Sequence, residues 1–333
     1  MIDSTNTETP ELAKAVLEGD RRALAKAITL VESTRPDHRR QAEVLLGTLL
    51  PHSGQAIRLG VTGTPGVGKS TFINRFGAEL VADGHRLAVL AVDPSSRMTG
   101  GSILGDKTRM PDLTGGDGAF VRPSPSGGIT GGVAAHSRDA MVVCEAAGFD
   151  VVVVETVGVG QSETAVAGLT DLFLLLVAPG AGDDLQGIKR GVLELADVVA
   201  VNKADGTLAD LAQRTAAEYQ AALHLVRPKR RNLPTSVVTC SSLTGAGLDD
   251  LKTLLWSLHQ TLEHSGELTR LRSQQAVEQF DAEVRHLLYH RSTTGETFRQ
   301  LQSELRSQVA NSAMSVSAAA RQLVDAAFEP QRS

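Results

Sequence analysis

Gly63-Thr64-Pro65-Gly66-Val67-Gly68-Lys69-Ser70 follows an apolar run, Ala56 to Val61, and precedes a helix-periodic stretch, Thr71 to Val81. The eight residues fit G-x-x-x-x-G-K-[ST], and the strand before and helix after are the context in which that pattern binds phosphate. Glycines let backbone N–H groups turn inward around a polyphosphate, the lysine reaches the β/γ oxygens, and the serine hydroxyl is a ligand for Mg²⁺. Gly63, Thr64, Pro65, Gly66, Val67, Gly68, Lys69, Ser70 and Thr71 are therefore the candidate phosphate-binding residues.

Outward from this loop, strand and helix patterns alternate. Strands are expected over 57–62, 87–93, 119–122, 150–155, 171–177, 197–202 and 235–240. Helices are expected over 69–82, 134–147, 185–195, 208–225 and 247–263. Runs such as Val151-Val152-Val153-Val154 are apolar at every position, as in a parallel sheet covered on both faces. The expected fold class is α/β: a P-loop NTPase with a doubly wound, mostly parallel sheet over 56–264. Residues 1–55 read as a helical extension in three pieces, one opening at Thr9-Pro10, one capped by Asp20, and one from Pro36 to Leu50. Beyond 265 the composition turns charged, with a thin apolar stripe of Leu268, Leu271, Val277, Phe280, Val284, Leu287 and Leu288. Further helical stretches follow near 298–309 and 315–328. A narrow stripe suits helix pairing, so 265–333 is expected to be a dimerisation arm, with packing onto the same chain as the alternative.

Asn202-Lys203-Ala204-Asp205 follows an apolar strand and supplies the base specificity. A carboxylate there accepts two hydrogen bonds from guanine's ring N–H and exocyclic amine, whereas adenine presents a lone pair to it. Cys240-Ser241-Ser242-Leu243 ends the last strand, and its backbone N–H groups fit guanine O6. Asn202, Lys203, Asp205, Ser241, Ser242 and Leu243 are the candidate guanine-binding residues, and GTP or GDP is the expected bound nucleotide.

Three carboxylates point to a metal. Asp93 and Glu155 end strands flanking the phosphate-loop strand, where doubly wound sheets bind ligands. Asp106 lies in the glycine-rich loop 100–109, with loop capping as its alternative role. With Ser70 they form the candidate Mg²⁺ set. Glu155-Thr156-Val157-Gly158 stands where many GTPases carry D-x-x-G, which places the Gly158 N–H to sense a γ-phosphate. Val159 follows, where Ras-like enzymes keep a water-orienting glutamine, so slow intrinsic hydrolysis that rises with a partner is expected. Lys189, in the loop 179–189, is either a charge near the phosphates or a solvated surface lysine. Lys69, Asp93, Asp106, Glu155, Gly158 and Lys189 are the candidate catalytic residues.

Composition bounds the remaining options. A net charge of −5 argues against nucleic-acid binding as the main activity, and the basic run Arg227-Pro228-Lys229-Arg230-Arg231 lacks interleaved aromatics. No apolar run approaches the length of a membrane span, and the first residues lack a basic-then-apolar signal pattern, so the cytoplasm is the expected compartment. The two cysteines, Cys144 and Cys240, read as buried packing residues. His136, Ser137 and Asp139 lie too close along one helix to form a hydrolytic triad.

Several longer motifs carry a resemblance. Asp93-Pro94-Ser95-Ser96, residues 100–110 (GGSILGDKTRM), residues 155–163 (ETVGVGQSE), Leu185-Gln186-Gly187-Ile188-Lys189 and Asn202-Lys203-Ala204-Asp205 closely resemble the MeaB/ArgK family. The match extends to Gly19-Asp20-Arg21-Arg22-Ala23-Leu24 and Ile28-Thr29-Leu30-Val31-Glu32-Ser33, and into the C-terminal arm. The resemblance implies a homodimeric G-protein chaperone of an adenosylcobalamin-dependent acyl-CoA mutase, methylmalonyl-CoA mutase or a relative, with its adenosyltransferase as a further partner. GTP turnover would gate cofactor loading, protection and reactivation. It also implies metal and phosphate roles for Lys69, Ser70, Asp93, Asp106 and Glu155, and a third switch over 180–189 in which Lys189 serves partner-stimulated hydrolysis. Arg97-Met98 and Ser126-Gly127-Gly128 depart from the family's usual residues. A metal-insertion GTPase and a kinase of a transport protein are the alternatives.

Overall fold

The computed structural model describes residues 5–92, 110–122, 133–156, 162–180, 190–225, 228–230, 232–293 and 296–328. Seven strands form one sheet: β1 Ile57–Gly63, β2 Leu87–Val92, β3 Ala119–Arg122, β4 Val151–Thr156, β5 Leu172–Val177, β6 Val198–Val201 and β7 Ser236–Thr239. Every pairing is parallel, in the order β3-β2-β4-β1-β5-β6-β7. Alternate residues of one strand serve opposite cores, which is why β2, β5 and β6 are apolar at every position. Val151 and Val153 of β4 join one apolar cluster, and Val152 and Val154 join the other.

The helices of the described residues are α1 Thr5–Leu17, α2 Arg21–Val31, α3 Pro36–Leu49, α4 Lys69–Ala82, α5 Pro111–Thr114, α6 Val133–Ala146, α7 Ser162–Ala167, α8 Arg190–Leu195, α9 Ala209–Leu223, α10 Leu248–His264, α11 Glu267–Thr293, α12 Glu296–Ala310 and α13 Val316–Phe328. Those from α1 to α10 supply the cover for both faces of the sheet. One face is packed by α4, α5 and α10, through Phe72, Ile73, Phe76, Leu113, Leu251 and Leu255. The other takes α1–α3 and α6 through Leu24, Ile28, Leu45 and Val143, and α8 and α9 through Leu193, Ala212 and Tyr219. Helix α7 crosses β1 at Gly60, where an added Cβ would stand 2.7 Å from Phe173 and 3.0 Å from Val166.

Several local expectations are met in detail. The Asp20 side chain accepts from Ala23 N at 2.7 Å, and Pro36 opens α3. Others need correction. Helix α1 begins at Thr5, so Pro10 sits inside it and not at its start. The missing proline N–H forgoes one intrahelical bond, which the burial of Ala13 and Val16 against α2 and α3 offsets. The short helices α5 and α7 were not expected. The expected 208–225 helix starts with a 3-10 turn, Gly206–Leu208, before α9. Of the expected 185–195 helix, residues 185–189 lie outside the described residues.

The N-terminal edge of the sheet, away from the phosphate loop, is held by a buried ionic knot. The Asp171 carboxylate accepts from Arg272 Nε at 2.8 Å and Nη2 at 2.7 Å, and from Arg58 N at 2.8 Å. Arg272 also donates to the carbonyls of Gly54 and Ala56, and Gln275 Nε2 donates to Thr170 O at 2.9 Å. Beside it, Glu145 accepts from Arg58 Nε at 2.6 Å. His259 Nε2 lies 3.8 Å from Asp171 Oδ2 and has no hydrogen-bond partner among the described residues. Burial pushes the His259 pKa below its ordinary value, with the Asp171 carboxylate opposing that and Arg272 adding to it.

The chain divides into two compact units, Met1–Gln275 and Ala276–Ser333, and α11 starts in the first and ends in the second. Within the second, Leu305 of α12 and Ala319 of α13 are buried, while Val277, Phe280, Leu287 and Leu288 of α11 are exposed. Among the described residues no helix is long and apolar enough to cross a membrane.

Candidate functional site

Strand β1 lies at the centre of the sheet, between β4 and β5, where the connections turn to opposite sides. Ligands of doubly wound sheets bind beyond the strand C-termini at such a switch point. The loop after β1 is shaped by close approach. A Cβ on Gly63 would stand 2.4 Å from the Leu176 carbonyl of β5, so no side chain fits. Gly68 has φ +95 as the N-cap of α4, and its Cβ would lie 3.0 Å from Asn202 Nδ2. The turn ends on the N-terminus of a fourteen-residue helix, whose first-turn N–H groups and dipole favour an anion.

Lys69 Nζ donates to the Gly63 carbonyl at 2.6 Å and reaches that of Thr64 at 3.4 Å, so the ammonium is curled over the loop. Burial pushes its pKa down, and the charges of Glu155 and Glu163 act in the opposite direction. Phosphate oxygens would offer the same cation stronger, charged acceptors. Ser70 Oγ lies 3.4 Å from Glu155 Oε1, and the Glu155 carboxylate is buried at the end of β4. Hydroxyl and carboxylate oxygens converging at this spacing are the hard donors that Mg²⁺ prefers. Behind Glu155, the buried hydroxyls of Thr62 and Thr156 bond to each other at 2.9 Å across the β1–β4 pair. Of the remaining candidates on the phosphate side, Asp93, Asp106, Gly158 and Lys189 lie outside the described residues, as does Val159.

The guanine motif is joined physically to the phosphate loop. Asn202 is buried, its Nδ2 donating to Val67 O at 3.0 Å and its Oδ1 accepting from Ser242 N at 3.0 Å and Ser242 Oγ at 2.7 Å. Lys203 adopts φ +60, a left-handed conformation unusual for a residue with a side chain, and its Nζ donates to Gly66 O at 2.7 Å. Asp205 is part-exposed, and its Oδ2 accepts from the buried Ser241 hydroxyl, which in turn accepts from Thr244 N at 3.1 Å. Leu243, two residues after Ser241, is 77% exposed, so the purine loop presents an apolar side chain to solvent. A carboxylate held at one oxygen can pair with a donor-donor edge such as guanine's. The structure thus brings together Gly63 to Thr71, Glu155, Asn202, Lys203, Asp205 and Ser241 to Leu243.

Several features that sequence patterns leave ambiguous have structural roles. Lys229 Nζ donates to Asp197 Oδ2 at 2.7 Å, and Arg230 bonds the same carboxylate and the Asp171 carbonyl. The described part of the basic run is therefore occupied inside the protein. His136 Nδ1 contacts the Val31 carbonyl at 3.0 Å, a link between α6 and α2. Cys240 is buried, which pushes its thiol up to about 12, and burial raises Cys144 as well. Both thiols are inert at neutral pH. Glu163, buried on the first turn of α7 and electrostatically felt by Lys69, escaped the sequence reading. Its only signal is an acidic residue where a helix turns inward.

The chain also matches known proteins in sequence and fold. The family model described as "Methylmalonyl Co-A mutase-associated GTPase MeaB" matches residues 24–297. A putative GTPase of Caulobacter vibrioides is 51% identical over 315 residues, 95% of this chain and 96% of that protein. The GTPase ArgK of Escherichia coli is 44% identical over 313 residues, 94% of this chain and 95% of its own length. The methylmalonic aciduria type A homolog of Mus musculus, a mitochondrial protein, is 46% identical over 274 residues, 79% of this chain and 66% of that one. The crystal structure of a LAO/AO transport system kinase superposes with a TM-score of 0.76 at 37% identity, covering 98% of both chains. The chain belongs to the MeaB family of P-loop proteins, and it is a GTPase.

Proposed function

We propose that this GTPase is the chaperone of an adenosylcobalamin-dependent acyl-CoA mutase, methylmalonyl-CoA mutase or a relative, and that GTP turnover gates loading, protection and reactivation of the mutase's cofactor. The observation that carries the reading is the family match across residues 24–297, whose description names mutase association. The mammalian relative named for methylmalonic aciduria supports it. Residues of this chain divide the work. The backbone N–H groups of residues 63–71 other than Pro65, with the Lys69 ammonium, hold the triphosphate, and Asp205, steadied by Ser241, selects guanine.

Ser70 and Glu155, with Asp93 and Asp106, would hold Mg²⁺, which on binding neutralises charge developing on the phosphoryl oxygens. Glu155 fits that duty because its carboxylate is buried opposite the Ser70 hydroxyl. Gly158 would sense the γ-phosphate. With valine at position 159, the attacking water lacks an orienting side chain there, so intrinsic hydrolysis is slow and the partner raises it through Lys189. The exposed stripe of α11, Val277, Phe280, Leu287 and Leu288, is read as a homodimer seam. The adenosyltransferase is a further partner, and the cytoplasm is the compartment of this reading.

The deciding experiment measures GTP hydrolysis with and without a candidate apo-mutase, together with co-elution. The proposal expects a stimulated rate and a complex. Neither stimulation nor co-elution dismisses the chaperone role and leaves the GTPase intact. A second arm follows the γ-phosphate: transfer to a protein acceptor in place of water would favour a kinase, the activity for which the similar crystal structure is named.

A further inference from the structure

Strand β5 ends at Val177 on the rim that carries the nucleotide site, and Ala178-Pro179-Gly180 leads into residues 181–189. Two hydrogen bonds hold this exit, one to the guanine motif and one to the helix that follows it. The Val177 carbonyl accepts from Asn202 N at 2.9 Å, and Gly180 N donates to Thr215 Oγ1 at 3.0 Å. Thr215 lies on α9, which starts one 3-10 turn after Asp205. Gly180 has φ +80, and a Cβ there would meet Leu211 of the same helix at 3.3 Å.

Thr215 is otherwise out of place. It is 1% exposed, on the inner stripe of α9 with Ala212 and Tyr219, where valine would fill the same space without a hydroxyl to satisfy. Its oxygen is the acceptor for one backbone N–H at a loop exit. Base recognition and loop exit therefore lie along one stretch of chain: Asp205 stands one 3-10 turn before α9, and Thr215 on α9 holds Gly180.

We propose that Thr215 is a positioning residue for partner-stimulated GTP hydrolysis: through the Gly180 N–H it ties placement of the chain leaving β5 to the helix that follows the guanine motif. The proposal rests on the reading above that residues 180–189 serve partner-stimulated hydrolysis. Thr215→Val removes the acceptor while keeping the shape, and Thr215→Ser keeps the acceptor. In the full-length protein, the valine variant should retain its melting temperature, GDP affinity within twofold and intrinsic hydrolysis, yet lose mutase-stimulated hydrolysis by tenfold or more. Serine should restore the stimulated rate. Full stimulation in Thr215→Val, or equal loss of intrinsic and stimulated rates, overturns the proposal. Should the valine variant fail to fold, Gly180→Ala strains the same exit and carries the same test, with lost stimulation expected and full stimulation refuting. An arm without partner separates the two readings. GDP should slow amide exchange over 178–189 in wild type and Thr215→Ser but not in Thr215→Val. Equal slowing in all three sinks the positioning role, whereas a wild type that no mutase stimulates sinks only the chaperone reading.

Discussion

Replacing Asn202 by alanine should break the seam between the two halves of the nucleotide site. Beside a long contact from the Cys240 thiol at 3.9 Å, three strong hydrogen bonds end on this one buried amide: to Val67 O in the phosphate loop, and from Ser242 N and Ser242 Oγ in the purine loop. Each is worth about 1 kcal/mol net, and the partners left behind are themselves partly or fully buried, so the loss sums to about 3 kcal/mol. Because the bonds join the loops that hold phosphate and base, most of that loss should fall on nucleotide affinity, about two powers of ten in the Kd for GDP. Titration of fluorescent GDP against the variant gives the affinity, and urea denaturation without nucleotide gives the remainder. Ser242→Ala removes only the hydroxyl bond and should cost about a third as much. A Kd within twofold of wild type, with an unchanged denaturation midpoint, would refute the idea that Asn202 couples the loops.

Three further outcomes are expected. Arg272→Leu strands the buried Asp171 carboxylate and two carbonyls, so chemical denaturation should report about 3–5 kcal/mol less stability. Burial holds the folded His259 pKa below the unfolded value of about 6.5. The unfolded chain then takes up a proton that the folded chain refuses, so stability falls as pH drops through about 6.5 and levels below the folded pKa. His259→Leu should flatten that part of the profile between pH 7.5 and 5.5, and an unaltered slope would remove the argument. Phe280→Asp with Leu287→Asp places charge on the exposed stripe of α11, and sedimentation should find a dimer in wild type and a monomer in the variant. A wild-type monomer at high concentration would end the seam proposal.

Much of the catalytic half was readable because its signals are local. The phosphate loop is eight consecutive residues between a strand and a helix, and Asn202-Lys203-Ala204-Asp205 are four more at a strand end. Continuous apolar runs such as Leu172–Val177 announced a sheet buried on both faces, as observed. What escaped depends on partners far along the chain. Asp171 gains its meaning from Arg272, 101 positions away, and Thr215 from Gly180, 35 positions away. Lys229 and Arg230 read only as part of a basic run without aromatics, because the carboxylate they hold, Asp197, is 32 and 33 positions away. Helix α7 is six residues long, too short to show a period, and it is fixed by its seat over Gly60. Pro10 misled for the opposite reason: a local rule for helix starts yielded to packing of α1 in the N-terminal core.

The most direct test is competition between GTP and ATP for the purified protein, repeated with Asp205→Asn. Wild type should favour GTP by several orders of magnitude, and the variant should lose most of that preference because asparagine presents an amide donor to guanine's own donor. Comparable binding of ATP by wild type, or an undiminished GTP preference in Asp205→Asn, would contradict the account.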